Sequence, residues 1–309
     1  MRCPSCHGFV ELNPAQPRCS CGFEFEWRDR VLIWEKLDDR FYETRYAAMS
    51  IRFDRTRMNR FGGRVLLHFL VYGYYESILR FVPPGARVLD IGCGAGAKLL
   101  AQWARMTGLD ISLDGLERST SSYDRYLRAD VRNVDFSSGS FDAIVSSFFW
   151  EHVTPADKDQ LLEKFRRWLR PRGKIILMCD VASNNPLFKW ARKEPQFFRE
   201  GFIEHDGHYG LETAPAAMER FLKHGFSLQW WHAMNRSPLQ HLPVFGWLTP
   251  YGRKHAWAGT LASLGSWMGA HKIPNRLYTA GIQLFDDSLG RLLPLDWARI
   301  LLAVLENSN

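Results

Sequence analysis

The chain has 309 residues, 46% of them hydrophobic and 14% aromatic, with a formal net charge of +7. That is enough apolar material for a sizeable core, in one large domain with additions or in two. The basic balance favours phosphate, anionic lipid or acidic partners without choosing among them. No apolar run reaches the roughly 18 uncharged residues of a transmembrane helix. The N-terminus opens on cysteines where a signal peptide would place its apolar stretch, so the expected setting is cytoplasmic, with reduced thiols.

The first element is a cysteine cluster. Cys3, Cys6, Cys19 and Cys21 follow the spacing C-x2-C-x12-C-x-C. Two pairs on two tight turns can offer four thiolates to a tetrahedral Zn²⁺, with Gly8 and Gly22 permitting the turns. FEFEW (Phe23 to Trp27) fits the sheet of a zinc ribbon, and residues 1–28 are expected to form such a module. With every position filled by protein, the metal would be structural and would supply folding energy. The second pair departs from the usual C-x2-C, and His7 can stand in for one thiolate. Metal-free reduced cysteines are the alternative.

Residues 29–81 are expected to form a helical linker or cap. RVLIWEKLDDRFYETRYAAM mixes apolar and charged residues at roughly helical spacing. Arg52, Arg55, Arg57, Arg60 and Arg64 follow, as a solvated face or a phosphate-facing patch. HFLVYGYYESILRFV then runs to the stop at Pro83-Pro84.

GARVLDIGCGAGAKLLAQWA comes next, a short apolar strand turning through Gly92, Gly94 and Gly96 into a helix. Such glycines let backbone approach a ligand without Cβ atoms intervening, and helix N–H groups then face its polar end. Alone, this turn also suits a dinucleotide. Asp90 ends the strand. Asp110 ends a second strand, MTGLDIS, where a carboxylate can accept ribose hydroxyls. Asp130 ends a third, RYLRADV, and suits an adenine amino group. FDAIVSSFFWEHV gives a fourth strand, DKDQLLEKFRRWLRP a helix, and GKIILMCD a fifth strand.

The ordered set VLDIGCGAG, LDIS, AD, FDAIVSSFFWEHV and LRPRGKIILM resembles the class I S-adenosylmethionine-dependent methyltransferases, in the group that includes the ubiquinone-biosynthesis type. The resemblance covers roughly residues 82–232. It implies an α/β fold with a Rossmann-like, doubly wound, mostly parallel sheet of seven strands, in a domain spanning residues 82–235. It implies S-adenosylmethionine as cofactor, with Gly92, Gly94 and Gly96 lining its methionine portion, Asp90 bracing the turn and Cys93 contributing backbone. Asp110 and Ile111 would lie at the ribose, Asp130 and Val131 at the adenine, and Ser147 and Phe148 near the transferred methyl. Where the family often has Pro-Gly-Gly before the fifth strand, this chain has Pro171-Arg172-Gly173, and Gly173 is expected to supply the positive φ.

Methyl transfer to a hydroxyl also needs a base. Glu151-His152 directly follows the fourth strand, with His152 either a base or a packing residue. FIEHDGHYGLET lies in an insert, residues 181–213, expected over the methyl end of the cofactor. There His208 is the first choice of base and His205 the second. His205 and His208 with Asp206 are a weaker metal alternative, and a polar loop without a chemical role is another.

The helix APAAMERFLKHG and the strand FSLQWWHAM complete the expected sheet. Residues 236–309 are expected to be a helical extension: LPVFGWLTPYG as an aromatic loop, AWAGTLASLGSWMGA without charge, LPLDWARILLAVLE as an apolar final helix. It caps the substrate pocket, forms a dimer face, or makes peripheral membrane contact for a lipid-linked acceptor. The expected acceptor is a hydroxyl of a small molecule, sugar or lipid-linked intermediate. An RNA methyltransferase and a non-catalytic binding partner are the alternatives. The Asn/Asp-Pro-Pro-Tyr/Phe motif that often serves amino acceptors in this fold is replaced by SSFFWEHV, and the oligomeric state is left open.

Overall fold

The computed structural model describes residues 1–3, 5–10, 18–35, 37, 40–45, 54–119, 123–238 and 242–308. Among the described residues, nine strands lie in one sheet: β1 (Glu26–Arg28), β2 (Val31–Ile33), β3 (Arg87–Ile91), β4 (Arg105–Asp110), β5 (Arg125–Arg128), β6 (Phe141–Ser147), β7 (Leu169–Asp180), β8 (Phe226–Met234) and β9 (Ile300–Asn307). Their order is β1-β2-β5-β4-β3-β6-β7-β9-β8. The strands from β2 to β7 pair in parallel, while β1 and β9 run against their neighbours. The sheet has nine strands where seven were expected: six lie where the sequence placed them, and β1, β2 and β9 are additional.

Alternate residues of each strand enter opposite apolar layers. Leu89, Ile91, Leu109, Ile144 and Leu177 join one. Val88, Met106, Val145, Ile176 and Met178 join the other. Both faces are covered, so the inner strands read as continuous apolar runs. From β3 the chain winds outward through β4 and β5, then returns to β6 and β7. The reversal opens a crevice beyond the C-terminal ends of β3 and β6.

Several expectations are corrected. Val31–Ile33, placed in a helix by its spacing, is a strand with all three side chains buried, paired with Tyr126–Arg128. The final helix expected of LPLDWARILLAVLE is β9, antiparallel to both β7 and β8. It fills the gap between them with side chains that are buried without a break from Ile300 to Leu305. The extension is therefore helical up to β9, at Leu242–Arg253, Ala256–Ala270 and Lys272–Asp287, with short turns of helix at Leu289–Leu292 and Leu295–Trp297. The described part of the first 28 residues packs against the sheet. Cys3, Cys19 and Phe25 share an apolar layer with Leu89, and the Arg2 amide donates to the Asp135 carbonyl at 3.0 Å. In Pro171-Arg172-Gly173 the positive φ, 60°, belongs to Arg172. Gly173 is needed for closeness instead, since a Cβ there would lie 2.9 Å from the Arg170 carbonyl oxygen.

In the linker, Arg40–Arg45, Arg55–Met58, Gly63–Val71 and Tyr74–Phe81 are helical. Arg55, Arg57, Arg60 and Arg64 are exposed, and Arg52 lies outside the described residues.

Candidate active site

The turn after β3 has positive φ at Gly92 (69°), Gly94 (50°) and Gly96 (69°), a backbone that side chains resist. A Cβ on Gly92 would also press on Phe149 Cβ at 3.0 Å. The turn is held from two sides. Below it, the Tyr123 hydroxyl donates to Asp90 Oδ2 at 2.7 Å and accepts the Ala97 amide at 3.0 Å. Burial raises the Asp90 pKa to about 7 against the pull of that phenol. Beside it, Asp110 Oδ2 accepts the Gly94 amide at 2.7 Å, and Oδ1 accepts the Ser112 amide at 2.8 Å. Burial pushes the Asp110 carboxyl up, and these backbone donors oppose it. The Cys93 thiol lies over Gly108, and burial pushes its pKa well up, so it stays protonated.

The acid at the end of β5 is engaged differently. Arg132 Nε lies 3.0 Å from both Asp130 oxygens, and Glu35 Oε1 accepts the Asp130 amide at 2.5 Å. Val131 is buried beside it, and the Ile111 carbonyl accepts Arg128 Nε at 3.3 Å. Glu43 is a site residue that motif reading missed. It takes the Ser112 hydroxyl (2.9 Å), the Leu113 amide (2.8 Å) and the Asp114 amide (3.1 Å), so Glu43 and Glu35 lie beyond the ends of β4 and β5. No local pattern marks Glu35 or Glu43; their partners are far away in sequence.

At the end of β6 the chain bends sharply. Ser147 closes the strand, and Phe148 adopts φ 53° while 40% exposed, with its amide on the Met178 carbonyl at 2.8 Å. An exposed aromatic held in the left-handed region is the kind of strain found at binding sites. Trp150–His152 follows as one turn of helix.

Here the structure assembles a second cluster. The rings of His152 and His208 are 5.2 Å apart between centroids. His152 Nδ1 bonds the Gly207 carbonyl at 3.0 Å, which places its proton there when the ring is neutral and leaves the lone pair on Nε2. Burial lowers the His152 pKa and favours that neutral form. His208 Nε2 lies 3.8 Å from Asp180 Oδ2, at the end of β7, and Arg299 reaches the same oxygen at 3.4 Å. Glu151 is 1% exposed, and neither of its carboxylate oxygens has a hydrogen-bond partner among the described residues. Burial first, then Asp180, pushes its pKa well above the usual range. His205 is not part of this group: its ring is largely exposed and bonds Asp206 at 2.9 Å.

The segment carrying His208 is tightly seated. Gly210 donates to the Glu151 carbonyl at 2.8 Å, and a Cβ on it would fall 1.7 Å from the Val153 oxygen. Buried Lys158 donates to the Gly210 carbonyl at 2.6 Å and to Glu212 at 2.9 Å.

The cysteines also come together. Cys3 and Cys21 sulfurs are 3.8 Å apart, Cys6 and Cys19 sulfurs 3.6 Å, and all four lie within 4.8 Å of one another. A tetrahedron with metal–sulfur bonds of about 2.3 Å has edges of about 3.8 Å. His7 is not part of the group.

A family model described as a methyltransferase domain matches residues 89–177. An uncharacterized methyltransferase from Bacillus licheniformis is 31% identical over 165 residues, 51% of this chain and 76% of that protein. A carboxy-S-adenosyl-L-methionine synthase from Actinobacillus succinogenes is 28% identical over 166 residues, 47% of this chain and 65% of its own length. Among solved structures, a protein from Galdieria sulphuraria, provisionally described as a sarcosine dimethylglycine methyltransferase, superposes with a TM-score of 0.51. It covers 83% of this chain and 92% of its own at 12% identity, a likeness of fold.

Proposed function

The chain belongs to the class I S-adenosylmethionine-dependent methyltransferases, and from that premise we propose that it methylates a hydroxyl of a small-molecule, sugar or lipid-linked acceptor. The observation that carries the acceptor reading is the pair of half-buried His152 and buried His208, beyond the ends of β6 and β7. The glycine turn suits the cofactor because its three positive-φ positions leave main chain bare, with Asp110 fixed against it. When bound, S-adenosylmethionine supplies a methyl group already activated on a sulfonium.

The protein's own work is alignment, which is worth several kcal/mol, and management of one proton. Asp110, with Asp90 and Tyr123 beneath, sets the shape of the turn. Glu35 and Glu43 hold the ribose and adenine side closed. Phe148 borders the methyl end. His208, oriented by Asp180, is the first candidate to accept the acceptor's proton, and His152 the second. His205 is too exposed for that task.

A lipid-linked acceptor is supported by one further feature. Trp257, Leu264 and Trp267 on Ala256–Ala270, and Ile273, Leu277 and Leu284 on Lys272–Asp287, are exposed. No helix of the described residues is long and apolar enough to cross a membrane. These side chains fit an interfacial contact, with tryptophans at headgroup depth. The four cysteines are proposed to hold a structural Zn²⁺, which the sulfur spacing suits.

The deciding experiment offers radiolabelled methyl donor with lipid extract, soluble metabolites or RNA. Label in a lipid or small molecule, lost in His208→Ala while S-adenosylhomocysteine affinity persists, is expected. Label in RNA, with steep salt dependence, would replace this acceptor assignment.

A further inference from the structure

We propose that Glu151, His152 and His208 form a binding site for a divalent cation of the kind that imidazole and carboxylate share, such as Mn²⁺, Fe²⁺, Co²⁺ or Zn²⁺. One ligand atom from each residue can be chosen so that all lie within 4.8 Å of one another, with Glu151 and His208 buried and His152 half-buried. The residues come from two separate segments, brought together by the Gly210 amide on the Glu151 carbonyl and by Lys158 on the Gly210 carbonyl.

Glu151 carries the argument. Its carboxylate is buried and accepts no hydrogen bond among the described residues. The protein cations around it are committed to other acids: Lys158 to Glu212, and Arg299 to Asp180. Burial keeps the acid protonated, and a divalent cation would displace that proton on binding. Two imidazoles and a carboxyl group with ligand atoms within 4.8 Å of one another match a cation's ligand set, with positions left open for another oxygen.

The surroundings resemble an outer shell. His152 Nδ1 is fixed by the Gly207 carbonyl at 3.0 Å, which orients the ring. Asp180 stands 3.8 Å from His208 Nε2 and is balanced by Arg299, so it can steer the ring without adding net charge. A cation there would polarise an acceptor oxygen, and His208 would then be a ligand and not a base. That role rests on the methyltransferase reading; the site itself does not.

The test is titration of the full-length protein with Mn²⁺ alone, read by electron paramagnetic resonance. Manganese prefers oxygen and nitrogen, so the cysteine cluster does not compete. One bound equivalent is expected, weakened at least about 10-fold in Glu151→Gln, with S-adenosylhomocysteine affinity by calorimetry unchanged. If Glu151→Gln fails to fold, His152→Gln provides the same readout. No retained Mn²⁺, or equal affinity in a folded variant, overturns the site and leaves His208 as base. Mn²⁺ binding without any S-adenosylhomocysteine binding would keep the site and remove the methyltransferase reading.

Discussion

Asp110 Oδ2 accepts the Gly94 amide at 2.7 Å, so the acid that closes β4 fixes the turn that leaves β3. A hydrogen bond to a charged group contributes about 1.5–3 kcal/mol. Asp110→Ala is therefore expected to weaken S-adenosylhomocysteine binding about 10- to 100-fold by calorimetry. Native affinity in a folded variant would show that the turn holds its shape without the carboxylate.

Lys158 is 1% exposed and ties the Pro155–Trp168 helix to the His208 segment through Gly210 and Glu212. Lys158→Met keeps the volume and removes both bonds, leaving Glu212 with Arg220 alone. The expected cost is about 2–3 kcal/mol in chemical denaturation. A change below about 0.5 kcal/mol would mean that the segment is held by packing, as ordinary surface changes are.

The cysteine cluster yields a different signature. If the four sulfurs hold Zn²⁺, chelation lowers the melting temperature and leaves cofactor affinity unchanged. Loss of cofactor binding at constant stability would contradict a structural role.

His68 bonds Glu76 at 2.8 Å and Asp287 at 3.0 Å, linking Gly63–Val71 to Lys272–Asp287. Asp287 first, then Glu76, raises its pKa to about 10. His232 also faces Asp287, at 3.6 Å, but burial lowers its pKa to about 4, so it adds no charge at neutral pH. A raised folded-state pKa stabilises below the unfolded value near 6.5 and fades as pH climbs through about 10. The stability gap between native protein and His68→Gln should be widest near pH 6 and close by pH 10 to 11. A gap that widens with rising pH would reverse the assignment.

Where sequence and fold agree, the signal was local. Gly92, Gly94 and Gly96 announce a turn by themselves, and β3, β4 and β6 are short strands with Asp90, Asp110 and Ser147 at or next to their last residue. Val31–Ile33 and Ile300–Leu305 gave no such sign, because strands covered on both faces lose alternation and resemble buried helix. Arg172 was unreadable because its backbone is dictated by the crowding at Gly173. Glu35, Glu43 and Glu151 are ordinary acids until tertiary contact defines them. Glu43 finds Leu113 across 70 residues, and Glu35 finds the Asp130 amide across 95.

β9 joins the sheet from far along the chain, with Lys174 beside Glu306 and Phe226 beside Asn307. During synthesis, β7 and β8 both emerge before the strand that separates them. Until it arrives, each presents an open hydrogen-bonding edge, the state most prone to pairing with a neighbouring nascent chain. Such distant pairings are also slow to form, so this half of the sheet is where chaperone protection matters most during production.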